Sequence, residues 1–159
     1  MPSEMTMPRS TMTKEIQAPV SVVFDTIAHI EHFAAALPHV VGTEYVTEQR
    51  EGVGTVVRET RKMGSGEMTT ELSVTEYEAD RKVRMVAESH GTVWDTLFEV
   101  EPHGSGTRLV VTSDARSEAL VPKIRNWLFK GMMAKAVSRD LELVKAHCEK
   151  RHRDGASPT

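Results

Sequence analysis

The sequence lacks the means for several common designs. One cysteine, Cys148, among 159 residues leaves nothing for an internal disulfide or a multi-thiolate metal site, and it fits a reducing compartment. The longest unbroken apolar stretch, Phe33 to Leu37, falls far short of the roughly 20 residues a membrane-spanning helix needs. Positive charge is not in excess either. Twenty Lys and Arg against 23 Asp and Glu give a formal charge of -3, so overall electrostatics recruit neither DNA nor an anionic membrane. Pro2, Ser3, Glu4, Thr6 and Pro8 stand where a secretory signal carries a basic start and an apolar core, so a cytoplasmic protein is expected. Aromatic residues are scarce, with two Trp, two Tyr and four Phe.

What is present is one domain's worth of patterned chain. Residues 1–8 and 152–159 are rich in Pro, Ser, Gly and charge without periodicity, and read as flexible tails around a single domain over 9–151. A short alternating stretch, Ser10 to Ile16, precedes Ala18-Pro19. Val22, Val23, Phe24, Ile27 and Ile30 then recur at helical spacing, predicting a helix over 20–30. A second short helix over 31–37 is closed by Pro38, because the residue before a proline avoids helical geometry.

From His39 onward the period becomes two, with Gly or charged turns about every ten residues, as in an antiparallel meander. Six strands are predicted over 40–47, 55–62, 68–77, 82–89, 92–101 and 107–115. After residue 118 the helical period returns to about Glu149, with Pro122 in the first turn and an apolar face of Ile124, Leu128, Ala134, Val137, Leu141, Val144 and Cys148.

Strand parity says what faces inward. Trp94, Thr96, Phe98 and Val100 share one face, matched by Leu109 and Val111, by Val83, Met85 and Ala87, and by Met68, Leu72 and Val74. The long final helix is the one continuous element able to cover that surface. The fold class is therefore α+β, a curved antiparallel sheet of about seven strands gripping a C-terminal helix, with two short helices after the first strand.

Several short segments carry a family resemblance. They are Ile16-Gln17-Ala18-Pro19-Val20 with Val23-Phe24, Leu37-Pro38, Val53-Gly54-Thr55, Phe98-Glu99-Val100-Glu101-Pro102, Gly106-Thr107-Arg108-Leu109, and the ending from Asp140 to Lys145. In this order and spacing the chain resembles the START or Bet v 1-like superfamily, whose bacterial members are called SRPBCC or polyketide cyclase/dehydrase and lipid transport proteins. The resemblance covers residues 10–150. It implies a helix-grip fold and a cavity for a lipid, quinone or polyketide-like molecule. It brings no catalytic motif, so no catalytic residue is assigned and turnover is not expected; an enzymatic relative would be cyclase- or dehydratase-like.

The residues themselves suit such a cavity. Thr70, Ala87, Thr96, Ser113 and Gly131 are small at inward positions, and Met63, Met68, Met85, Met132 and Met133 are adaptable, although the same composition suits a fully packed core. The expected cavity wall is Met85, Trp94, Thr96, Phe98, Val111 and Leu128. In the strand over 55–62 both parities carry charge: Thr55, Val57, Glu59 and Arg61 on one side, Val56, Arg58, Thr60 and Lys62 on the other. A buried charge needs a partner, so the inward member, Arg58 or Glu59, is either a polar anchor for a ligand or part of a solvated strand end or an internal ion pair. Glu59, Asp114 and Tyr45 are the acid-base candidates, and His29, His32 and His39 flank the short helices.

Seven histidines raise a metal site, notably His29 and His32 at i, i+3 and His147 with Cys148 near His152, but none is expected, because a zinc site wants three or four convergent ligands and His147 and Cys148 are adjacent on a helix and diverge. No cofactor is expected. The glycines of Gly64-Ser65-Gly66 lead into a strand and mark a hairpin, not a phosphate loop. Residues 119–153 hold nine Lys or Arg against three Asp or Glu, so the outer face of the last helix, including Lys123, Arg125, Lys130, Arg139, Lys145, Lys150 and Arg151, offers a second reading as a docking surface for an acidic protein or RNA. A weak homodimer is compatible with the sequence.

Overall fold

Alternation of side chains and polar turns folds the middle of the chain into a continuous meander. The computed structural model describes residues 5–6, 9–89, 91–117 and 123–155. The elements are β1 (Met5–Thr6), β2 (Ser10–Ile16), α1 (Val20–Ala28), α2 (Ile30–Ala36), β3 (Val40–Tyr45), β4 (Val56–Met63), β5 (Gly66–Glu78), β6 (Lys82–Ser89), β7 (Thr92–His103), β8 (Gly106–Ser117) and α3 (Lys123–Gly155). One antiparallel sheet holds all of these strands, in the order β1-β8-β7-β6-β5-β4-β3. β1 and β2 follow one another along β8, Met5 opposite Ser117 and Ser10 opposite Ser113, so β3 forms the opposite edge. Register shifts at Val40/Gly42 and Val74/Glu76 bend the sheet.

The two short helices are separated by His29, whose extended backbone (φ -112°, ψ 122°) ends α1 and starts α2. The sequence periodicity placed this break after Ile30. Turning at His29 lets Ile27 and Ile30 both face inward, and both are buried. α3 runs to Gly155 instead of stopping near Glu149. Its expected beginning, with Pro122, lies outside the described residues.

The concave side of the sheet carries the core. Phe98 sits between Val83 and Val111, Val100 opposite Leu109, and these pack with Phe24, Ile27 and Leu37 from the short helices and Leu141, Val144 and Cys148 from α3. The inward parity predicted for β6, β7 and β8 holds. Met68 is the exception, at 40% exposed, because it lies two positions from the β4–β5 turn at the end of the hairpin. Where β8 begins, the chain passes so close to the end of β2 that a Cβ on Gly106 would lie 2.3 Å from the Ile16 carbonyl oxygen. Only glycine fits there.

Candidate functional site

Register lines up the inward side chains in rows across the sheet. One row runs Ser113, Thr96, Met85, Val74; the next runs Ala115, Trp94, Ala87, Leu72, Val57, Tyr45. Of the residues named from sequence as a wall, Met85, Trp94, Thr96, Phe98 and Val111 thus share the concave face. Leu128 belongs to α3, and its side chain lies outside the described residues. Small Ala, Ser and Thr side chains stand among the large ones in these rows. A small cleft lies between the α1–α2 joint and the β3–β4 loop, lined by Ile30, Thr55, Val57, Val74, Tyr77 and Met85.

β4 turns its odd-numbered residues inward. Val57 and Glu59 are buried, as is Thr55 just before the strand, while Arg58 faces outward between Glu44 (3.1 Å) and Glu71 (3.0 Å). Arg58 is therefore satisfied on the outer face, and the inward charges of this strand are Glu59 and Arg61. Neither parity was favoured by β4 alone, because each side carries one Val, Thr residues and charge; pairing with β5 and packing against α3 decide it.

Arg61 is the hub. Its Nε donates to Glu59 Oε1, and its guanidinium donates to Asp140 Oδ2 of α3 at 2.7 Å. His39 Nε2 stands 3.1 Å from Asp140 Oδ1. Burial works against the Arg61 charge, but the neighbouring Glu59 and Asp140 carboxylates outweigh it and hold its pKa above the ordinary value. Glu59 is 4% exposed, and its Oε2 has no hydrogen-bond partner among the described residues. Two carboxylates, a guanidinium and an imidazole thus meet between sheet and helix, Glu59 buried and Arg61 and His39 about a quarter exposed. Such a set binds polar groups directionally and can exchange protons.

Sequence reasoning missed Asp140 and undervalued Arg61. A signal existed: Asp140 lies within the stripe of Val137, Leu141 and Val144 at helical spacing, where an acid is out of place unless it meets a cation. The three acid-base candidates do not converge. Asp114 is on the outer face opposite Asp95, near Arg84 and Arg116, and Tyr45 donates to Glu31 at the rim.

Two tyrosines stitch the rim of the cleft. Tyr77 donates to Glu51 Oε1 at 2.6 Å and Tyr45 to Glu31 Oε2 at 2.8 Å. Burial and then the hydrogen bond to Glu31 push the Tyr45 phenol up to about 12, and burial with Glu51 raises Tyr77 further. At Glu31 burial pulls the carboxyl pKa upward, but the Tyr45 hydroxyl, a backbone hydrogen bond and the nearby His32 and His29 together outweigh it, and the net displacement is downward. Beside the rim, Asp25, His29 and His32 gather their ligand-type atoms within 4.8 Å, a convergence the sequence reading did not foresee because it overlooked Asp25. Asp25 also receives Arg151 at 3.0 Å, and Arg151 donates to Thr26 at 2.8 Å, so this cluster ties α1 to the end of α3.

Arg151 is thereby engaged with α1, whereas Arg139 and Lys150 of the same basic helix are exposed; the side chains of Lys123, Arg125 and Lys130 lie outside the described residues. Among the described residues no helix is long and apolar enough to cross a membrane.

The sequence profile of the family described as polyketide cyclase / dehydrase and lipid transport matches residues 7–152. No curated protein matches the sequence. Among solved structures the chain is similar to the Zhui aromatase/cyclase from Streptomyces sp. R1128, with 17% identity over 95% of this chain and 99% of that one and a TM-score of 0.81. It is similar to Ara h 8.0201 at 11% identity over 90% and 97% of the two chains, TM-score 0.72. It also matches the di-domain ARO/CYC BexL from the BE-7585A biosynthetic pathway at 19% identity and TM-score 0.72, covering 91% of this chain but 50% of that longer one. At these identities the likeness shows a shared fold.

Proposed function

The chain belongs to the polyketide cyclase / dehydrase and lipid transport family, and from that premise we propose that it binds a hydrophobic or amphipathic small molecule between the concave sheet and α3. The wall of this site is Met85, Trp94, Thr96, Phe98 and Val111. The observation that carries the reading is the charged set Glu59, Arg61 and Asp140 standing between the sheet and α3. A purely structural core gains little from a buried ion pair over well-packed apolar residues, whereas a site for an amphipathic ligand needs a polar end. Apolar burial, at about 25 cal/mol per Å² before ordering costs, supplies most of the affinity, and the polar end orients the ligand.

Native mass spectrometry of protein purified without denaturation, followed by organic extraction, tests this. A stoichiometric lipid, quinone or polyketide-like molecule, lost in Met85→Glu while the circular-dichroism spectrum is kept, is the expected result. Retention in that variant would move the site elsewhere.

A second reading, cyclase- or dehydratase-like turnover, is favoured by His39 standing beside Asp140 and Arg61, since an imidazole next to a carboxylate is the usual equipment for proton exchange. Loss of turnover with retained ligand affinity in His39→Gln separates it from a carrier.

A further inference from the structure

Two polar atoms on the inward face of β4 and its approach are buried without a hydrogen-bond partner among the described residues: Thr55 Oγ1 and Glu59 Oε2. Thr55 is 3% exposed and Glu59 4%. Buried polar groups in folded proteins are nearly always paired, so each such atom calls for a reason. Their placement is not random. Thr55 and Glu59 are four residues apart on the same side of an extended chain, about 13 Å at ~3.3 Å per residue, with buried Val57 between them. The backbone is held straight across this span, since Thr55 accepts from Val74 N–H at 2.9 Å and Val57 and Glu59 pair with Leu72 and Thr70 of β5. Thr55 and Val57 line the cleft at the rim, and Glu59 follows on the same buried face of the strand.

The two ends differ in chemistry. A threonine hydroxyl both donates and accepts. At the Glu59 end Arg61 already donates to Glu59 Oε1 and to Asp140 Oδ2, so one guanidinium is shared by two carboxylates and Oε2 remains as an acceptor. An incoming carboxylate would face an excess of negative charge there; a hydroxyl would find an acceptor.

We propose that the strip Thr55–Val57–Glu59 reads an elongated, neutral hydrophobe carrying a hydroxyl at each end, about 13 Å apart, with one hydroxyl donating to Glu59 Oε2. This rests on the reading of the grip as a small-molecule site. It assigns the ligand class at that site: a long bis-hydroxylated apolar molecule, not a fatty acid.

The test uses the full chain and displacement of the fluorescent hydrophobe N-phenyl-1-naphthylamine by 1,10-decanediol, 1-decanol and decanoate. The diol should bind about tenfold tighter than the mono-alcohol, as one added hydrogen bond allows, and decanoate weaker than both. Thr55→Val keeps the side-chain shape and removes one orphan hydroxyl. Its free form should melt no lower than the parent, and its preference for the diol should shrink to about twofold or less. Equal affinity for diol and mono-alcohol, tighter binding of decanoate, or a lowered melting temperature in Thr55→Val would each overturn this inference and leave the cavity standing. Failure of the fluorophore and of all three ligands to bind would overturn the small-molecule reading itself.

Discussion

The guanidinium of Arg61 on β4 lies 2.7 Å from Asp140 on α3, a contact across 79 positions of sequence that fastens the sheet to the helix closing it. Arg61 also serves Glu59, and all three side chains are largely covered. Removing the cation leaves two acids facing each other out of water. We predict that Arg61→Met costs about 3 kcal/mol in urea unfolding, and that adding Glu59→Gln and Asp140→Asn recovers more than half of it, because the damage comes from uncompensated charge and not from lost packing. A triple variant no better than the single one would show that the guanidinium acts by packing.

Both tyrosines donate to carboxylates, and the sequence has no others. In the folded protein the phenol of Tyr45 titrates near 12 and that of Tyr77 higher still, against 10.0 for the free group. A folded-state pKa raised above the unfolded one stabilises fully below the unfolded value and is lost as pH rises through the folded one. The expected spectrophotometric titration at 295 nm therefore shows almost no phenolate at pH 10.5 until the protein unfolds, and stability declines above pH 10. Tyr45→Phe should remove part of that decline. Glu31 gives the mirror effect in acid: its lowered carboxyl contributes above the ordinary carboxylate range, and the contribution is lost as pH falls through the folded value.

Gly106 has the Ile16 carbonyl oxygen 2.3 Å from where a Cβ would stand. Backbone on both sides cannot yield as a side-chain tip can, so Gly106→Ala should lower stability by about 2–4 kcal/mol, read as a shift in urea midpoint with an unchanged slope. Gly131→Ala, where a Cβ meets nothing within 4 Å, is the control and should be neutral or mildly stabilising.

Cys148 is fully buried among Ile16, Val144 and their neighbours, and burial pushes its thiol pKa up. Its reaction with a disulfide reagent at pH 8 should be limited by opening of the fold, rising with urea in step with unfolding. Immediate stoichiometric labelling in native buffer would contradict this burial.

Much of the architecture is legible in the sequence because period and parity are local. Ser10 to Ile16 is a strand at those bounds, and the inward faces of β6, β7 and β8 follow from alternation that puts Val83, Phe98, Val100, Leu109 and Val111 on one side. The candidate site is less legible for a reason of the same kind. β4 carries charge on both faces, so its inward side is decided by partners far along the chain: Leu72 and Thr70 in β5 and Asp140 in α3. The paired meaning of Arg61 and Asp140 exists only in three dimensions, since 79 positions of sequence separate them. Asp25 shows the same limit: its two histidines are nearby in sequence, but Arg151 reaches it across 126 positions.

The pairing of β2 with β8 sets a timetable. Ser10 finds Ser113 and Ile16 finds Thr107 only after most of the chain has been made. At roughly 5–20 residues per second, a ribosome needs about 5–20 s to add the hundred residues that separate them. During that interval the β3–β7 hairpins can zip locally, while their apolar concave side has neither β2 beside it nor α3 over it. The nascent chain is therefore born sticky and stays so until β8 and α3 have been made, and its yield in cells should depend on what shields that surface in the meantime.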